Sequence, residues 1–201
     1  MIISIPPIKP RNPAWVAGFT MAELMVAASL ATMVLAGVMS AFLFIGRTSY
    51  SAGNYSEMEA QTRLGLDVFA NDARMAGGIQ WNSNQSITLS LPTAGNASTL
   101  VTYAYDSSAN GPTARCFYRQ VGNTVSTLPR RVLVRNVTSG FSFQRFKLAQ
   151  NGNTDGVAAN DLETKLIQLN LRATRSGVTT VAAYQTTLSA RYVLRNKRVS
   201  N

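Results

Sequence analysis

Residues 18–46 read GFTMAELMVAASLATMVLAGVMSAFLFIG, and this stretch decides how the rest of the chain is understood. From Phe19 to Gly46 there are 28 residues with one charge, Glu23, and from Leu24 to Gly46 there are 23 with none. At about 1.5 Å of rise per residue, that uncharged run is long enough as a helix to cross a hydrocarbon core of roughly 30 Å. No proline lies between Pro13 and Pro92 to stop it. The run exceeds the roughly 7–15 apolar residues of a secretory signal, and no small-residue cleavage site follows closely. A spanning helix is therefore expected rather than a cleaved signal peptide.

Working outward, the preceding residues hold four prolines (Pro6, Pro7, Pro10, Pro13) and two cations, Lys9 and Arg11. Such a segment is a poor helix former, and its cations keep that end cytoplasmic, which puts everything after residue 46 across the membrane. Glu23 is the anomaly. A carboxylate in a lipid-embedded run costs on the order of a few kcal/mol at depth and ordinarily has a partner, yet no Lys or Arg lies within a turn or two of it. One reading places Glu23 at interface depth in the first turn, where the helix dipole favours an anion. Another supplies a new cation: a cut after Gly18 would expose the α-amine of Phe19, one helical turn from the carboxylate.

The order Gly18, Phe19-Thr20, Glu23-Leu24 and then some twenty apolar residues resembles the class III signal of type IV prepilins and pseudopilins. The resemblance implies cleavage between Gly18 and Phe19 by a prepilin peptidase, N-methylation of Phe19, and a filament-register role for Glu23, which pairs with the N-terminal amine of a neighbouring subunit. It also divides the chain into a leader (1–18), a membrane and filament-core helix (19–46), an amphipathic continuation (47–78) and a β-rich head (79–201). The small residues Ala27, Ala28, Ser29, Ala31, Ala36 and Gly37 permit close helix–helix approach.

Beyond the apolar run, Met58, Leu64, Val68, Phe69, Ala73 and Ala76 recur at three- and four-residue steps, with Gln61, Arg63, Asp67, Asp72 and Arg74 largely elsewhere. This predicts one helix over residues 20–76, stopped by Gly77-Gly78. Period-two patterning then predicts strands at Ser86–Leu91, Thr99–Tyr105, Ala114–Val121, Arg131–Val137, Phe141–Leu148, Lys165–Ala173 and Thr186–Arg195, joined by turns such as Thr93–Ser98 and Gln150–Asp155. Ile167, Leu169 and Leu171 share one face, as do Leu188, Ala190, Tyr192 and Leu194. The fold class is α+β: a long N-terminal helix, its first half membrane-spanning, packed on an antiparallel β-sheet domain. Asp72-Ala73-Arg74-Met75-Ala76-Gly77-Gly78, Val134-Arg135-Asn136-Val137 running on to Phe141-Ser142-Phe143, and Leu194-Arg195-Asn196 are similar to segments of PilW-type minor pilins. J-type pseudopilins of type II secretion share this plan. The resemblance implies a non-enzymatic subunit that joins other minor pilins, and the major pilin, in a tip-associated complex priming pilus assembly. It implies residence in the inner membrane, among its lipids, with a periplasmic head until assembly carries the subunit into the surface fibre. The presence of Glu23 favours an internal position in that complex over the extreme tip.

Charge and composition bound the alternatives. The net charge is +10, and residues 77–201, with fourteen basic and four acidic side chains, carry all of it. Arg191, Arg195, Lys197 and Arg198 are candidate contacts with nucleic acid or a partner subunit. In a DNA-binding competence pilin the basic strands would form a DNA-binding face that includes Arg115 and Arg119, with Tyr103, Tyr105, Phe117 or Tyr118 stacking on bases. The competing expectation is that these charges meet acidic neighbours or water. Zero histidines and a single cysteine, Cys116, argue against His-based catalysis, triads and Cys-cluster metal sites. Cys116 reads as a small buried hydrophobe. Asn151-Gly152-Asn153-Thr154-Asp155-Gly156 is a weak calcium-loop pattern, because Asn stands first and Leu162 occupies the twelfth position; a hydrated turn is expected. No cofactor, metal or enzymatic activity is expected.

Overall fold

The computed structural model describes residues 18–94, 97–148, 156–176 and 183–198, with Ser176 and residues 183–185 described as backbone alone. Of the leader expected at residues 1–18, all but Gly18 lies outside the described residues, as do the tip of the Thr93–Ser98 turn and Asn151–Asp155 of the calcium-like loop. The chain divides into two compact units, Met1–Arg47 and Thr48–Asn201.

Helix α1 covers Met21–Met75. Its run of Ala, Leu, Met and Val without proline is helix-permissive throughout. In the first unit, every described residue is exposed, and this is the helix long and apolar enough to cross a membrane. In the second unit, α1 buries Met58, Thr62, Gly65, Phe69, Ala70, Asp72 and Ala73. The predicted apolar face is correct at Met58, Phe69, Ala73 and Ala76, but Leu64 is 62% exposed and Asp72 is 7% exposed. The helix is rotated so that small and polar side chains, not Leu64, meet the sheet.

After α1 come β1 (Gly78–Ser83), β2 (Ser86–Pro92), β3 (Ser98–Tyr105), β4 (Phe117–Val121) and β5 (Arg131–Val134), then β6 (Ser142–Phe146), β7 (Leu166–Ser176) and β8 (Ala183–Val193). Strands β1 to β5 form one antiparallel sheet in sequence order, and β6, β7 and β8 form a second. Gly77-Gly78 does end the helix, but it opens a strand that the periodicity missed: the Gly77 N–H donates to Ser90 O at 2.9 Å, and β1 pairs Ile79 with Leu89. Three predicted strands are shorter than expected: Phe141–Leu148 contracts to Ser142–Phe146, and the other two shorten for one reason. Arg115 (φ 52°) and Asn136 (φ 55°) adopt left-handed backbone, which a strand does not accommodate. Ala114–Cys116 is therefore a turn before β4, and β5 stops at Val134, leaving Val137 in an isolated bridge with Ala173.

The core lies between the second half of α1 and the inner faces of both sheets. Ile87, Leu89, Val101, Tyr103, Phe117 and Val134 come from the first sheet, and Phe143, Ile167, Leu169 and Leu171 from the second. The predicted alternation holds: Ile167, Leu169 and Leu171 are buried, and Leu188, Ala190 and Tyr192 are more shielded than Thr187, Ser189 and Arg191. Phe69 is fully buried where the layers meet, with ring centroids 5.0 Å from Tyr103, 5.2 Å from Tyr192 and 5.7 Å from Phe143. Near it, Asp72 Oδ2 accepts from the Tyr103 hydroxyl at 2.5 Å and from Arg119 Nε at 2.8 Å. Burial and the adjacent Asp72 charge push the Tyr103 phenol far above its ordinary range. Cys116 is buried, as expected, and burial raises its thiol.

Two substitutions test this seam. A Cβ at Gly65 would sit 2.8 Å from Val134 Cγ2 and 3.3 Å from Leu133 Cβ. Gly65→Ala should therefore destabilise the protein by about 1–3 kcal/mol, whereas Gly53→Ala, with nothing within 4 Å, should be neutral or raise stability by up to about 1 kcal/mol. Asp72→Ala strands both the phenol and the guanidinium and should cost about 2–3 kcal/mol, against about 1 kcal/mol for Tyr103→Phe. Thermal or denaturant melts of the full chain in detergent measure both series.

Candidate functional site

The first unit concentrates its chemistry at one end of the exposed helix. Thr20 and Glu23 form a reciprocal N-terminal cap. The Thr20 N–H donates to Glu23 Oε2 at 2.9 Å, the Thr20 hydroxyl donates to the same oxygen at 3.0 Å, and the Glu23 N–H donates to Thr20 Oγ1 at 3.2 Å. This is the capping box that Thr-x-x-Glu before an apolar run encodes. The signal stood in the sequence and the reading of Glu23 as an unpartnered acid overlooked it. The carboxylate is held at the first turn, where the N-terminal partial charge also favours it. Phe19, at the position before the cap, is 85% exposed, and Gly18 has no heavy atom within 4 Å of where a Cβ would stand.

Further along, the hydroxyls of the apolar segment are satisfied by the helix itself. Ser29 Oγ donates to Val26 O at 2.8 Å, Thr32 Oγ1 to Ser29 O at 2.8 Å, and Ser40 Oγ to Ala36 O at 2.9 Å. Their side chains therefore ask nothing of the surroundings, which suits contact with lipid or with other apolar helices. The outward surface is continuous and greasy: Met25, Met33, Leu35, Phe42 and Phe44 are each more than 60% exposed. An apolar surface of that extent marks a face for a membrane or another protein.

Several basic residues of the second unit are engaged within the fold. Arg119 is bonded to Asp72, Arg130 to Asp106 at 3.1 Å, Arg145 to Asp161 at 3.0 Å, and Arg175 to Glu57 at 2.7 Å. Lys197, expected at the surface, is 6% exposed, its Nζ donating to Leu162 O at 2.7 Å. Burial, with Lys165 nearby, lowers its ammonium pKa. Arg191 lies over the Phe146 ring at 4.4 Å and donates to Gln168 Oε1 at 2.7 Å. Arg195 and Arg198 are exposed. The aromatic stacking platform is not formed: Tyr103 and Phe117 are fully buried and Tyr118 is 8% exposed beneath Arg130, leaving Tyr105 half-buried. Period-two spacing identified the strands but not which faces the helix and the 122–128 loop cover. Among the described residues no group of His, Cys, Asp or Glu is placed to hold a metal.

With this geometry in view, comparison with known proteins adds one relative. The chain is 33% identical over 78 residues to the pilin-like protein PilA3 of Thermus thermophilus, a match taking in 37% of this chain and 34% of that protein. It thus spans about a third of that relative's length. No family model matches the chain. The similarity, with the long helix and antiparallel sheets, supports a type IV pilin-like family, and the apolar helix is consistent with a membrane-anchored pilin.

The cap is directly testable. Thr20→Val removes the hydroxyl from all its bonds and should weaken the first turn by about 1 kcal/mol. Hydrogen exchange of the full chain in detergent should show the amides of residues 22–24 exchanging about fivefold faster, with those beyond residue 40 unchanged.

Proposed function

We propose that this chain is a minor pilin, a non-enzymatic subunit that joins other minor pilins in a tip-associated complex and primes type IV pilus assembly. The observation that carries the reading is the exposed apolar segment of α1 before residue 47, whose one carboxylate, Glu23, is fixed at its start. In the membrane this helix anchors the subunit, with the head on the periplasmic side. A prepilin peptidase cuts between Gly18 and Phe19, and Phe19 is then N-methylated. The freed amine is a cation at the position preceding the cap, and Glu23 offers it, or that of a neighbouring subunit, a carboxylate. Transfer into the filament exchanges lipid contact for helix contact along residues 19–46, and Ala27, Ala28, Ala31 and Gly37 let neighbouring backbones approach. A carboxylate in so apolar a setting favours the axial register that brings a cation to it.

Three substitutions in the producing cells test this. Gly18→Ala should abolish processing, so that intact-mass analysis finds the leader still attached; an unchanged mature N-terminus refutes the boundary. Glu23→Ala should leave cleavage largely intact yet reduce recovery of the subunit in sheared pili by tenfold or more. Thr20→Val separates the two uses of the carboxylate: it loses the cap but keeps the charge, and should incorporate far better than Glu23→Ala. Equal recovery of all three with the parent protein would defeat the proposal.

A further inference from the structure

The second unit holds a cleft of its own. Its volume is about 650 Å³, within the range that holds small ligands. It opens where the connection between β3 and β4 meets residues 136–139 and the end of β7, and Tyr105, Arg115, Asn136, Ser139, Thr174 and Arg175 line it. Two arginines thus stand among hydroxyl- and amide-bearing residues, and no carboxylate stands among the described lining residues.

The backbone shows that this is a built site. Arg115 and Asn136 both hold left-handed backbone. Asn tolerates that conformation, but for Arg it costs about 1–2 kcal/mol, and glycine would remove the cost. The surroundings hold Arg115 there from both sides: its N–H donates to Asp106 O at 2.8 Å and its carbonyl accepts from Val137 N at 2.8 Å. Asn136 O accepts from Thr174 N at 2.9 Å, which ties the opposite wall to β7. Asp106 itself is fastened by Ser108 Oγ at 2.6 Å, Thr113 Oγ1 at 2.6 Å and Arg130 Nη1 at 3.1 Å, so the connection that presents Arg115 is rigid. Tyr105 is fixed as well, its ring stacked on Phe141 at 5.5 Å and its hydroxyl donating to Val137 O at 3.3 Å. The Arg115 guanidinium forms no ion pair among the described residues, and Arg175 gives Nη1 to Glu57 at 2.7 Å.

We propose that this cleft binds a polyhydroxylated ligand bearing one oxyanion, an acidic sugar or a sugar phosphate. The fork of Arg115, supported by Arg175, grips the carboxylate or phosphate. The Asn136 amide and the Ser139 and Thr174 hydroxyls match the ring hydroxyls, and Tyr105 supplies the apolar wall. The backbone at Arg115, Asn136 and Thr174 and the Tyr105 ring are held in place beforehand, so ordering them adds little cost on binding.

Titration calorimetry of the full chain in detergent micelles tests this with galacturonate, glucose 1-phosphate, galactose, glucose, an oligothymidylate and hexaglutamate. Galacturonate or glucose 1-phosphate should saturate one site, the stronger of the two showing whether carboxylate or phosphate is preferred. Its neutral parent sugar should bind at least tenfold more weakly. Arg115→Gln should weaken the acidic ligand at least tenfold without moving the melting midpoint. Should that variant melt earlier, Arg175→Gln read beside Glu57→Gln gives an equivalent test. Both break the same ion pair, but only Arg175→Gln should lose binding. Failure of both acidic ligands to saturate, equal binding of the neutral sugars, or affinity unchanged in the arginine variants would overturn the proposal. Binding of the oligothymidylate or hexaglutamate alone, dependent on Arg115, would replace it with a nucleic-acid or acidic-peptide site.

Discussion

The carboxylate of Asp72 is the constraint on which the second unit is arranged. A charge at 7% exposure is tolerable only with good partners, and Asp72 has two, the Tyr103 hydroxyl and Arg119 Nε. Both partners belong to adjacent strands, in register with each other across β3 and β4. Satisfying them together fixes the rotation of α1 about its axis and its position along the sheet. Phe69 then falls among Tyr103, Tyr192 and Phe143, and Gly65 falls opposite Val134, where any side chain would press on the strand. The apolar contacts supply most of the driving force, while the ionic seam selects one of the ways to make them.

Glu23 meets the same cost by a different route. Among the described residues it has no distant partner, and it uses its own helix start, closing a reciprocal cap with Thr20. A capped carboxylate is less costly to hold in an apolar segment than a bare one, and the cap keeps it in place beside the position just before the helix. Local satisfaction is compatible with the intermolecular role proposed for Glu23, because the cap engages Oε2 and a carboxylate has a second oxygen to offer.

Part of the basic charge of the head is taken up within the fold. Arg119, Arg130, Arg145 and Arg175 each hold a carboxylate of the same chain, and two of these guanidiniums sit over aromatic rings: Arg130 at 4.6 Å from Tyr118 and Arg145 at 5.3 Å from Trp81. With so few acids in this part of the chain, cations outnumber the available partners. Arg115, Arg131, Arg135, Lys147, Arg195 and Arg198 remain at the surface, and at Arg115 the backbone is held in a costly conformation as well. Net charge thus says less about function here than the placement of a single arginine.

Much was legible in the residue order. The apolar run, the lone acid, the helix stop at Gly77-Gly78 and the inward faces of β7 and β8 follow from local chemistry and from periods of 3.6 and 2, which need only neighbours along the chain. Even the Thr20–Glu23 cap, though overlooked, was written within four residues. What tertiary structure alone decided involves residues far apart in sequence. Periodicity counts apolar side chains and is blind to a helix that buries Gly65, Thr62 and Asp72 while exposing Leu64, since that choice is made by Val134, Tyr103 and Arg119. The left-handed turns at Arg115 and Asn136, which truncate two strands and shape the cleft, are likewise held by hydrogen bonds to Asp106, Val137 and Thr174. Local preference would not have placed an arginine there; the energy that does so comes from bonds formed only once the sheets have assembled.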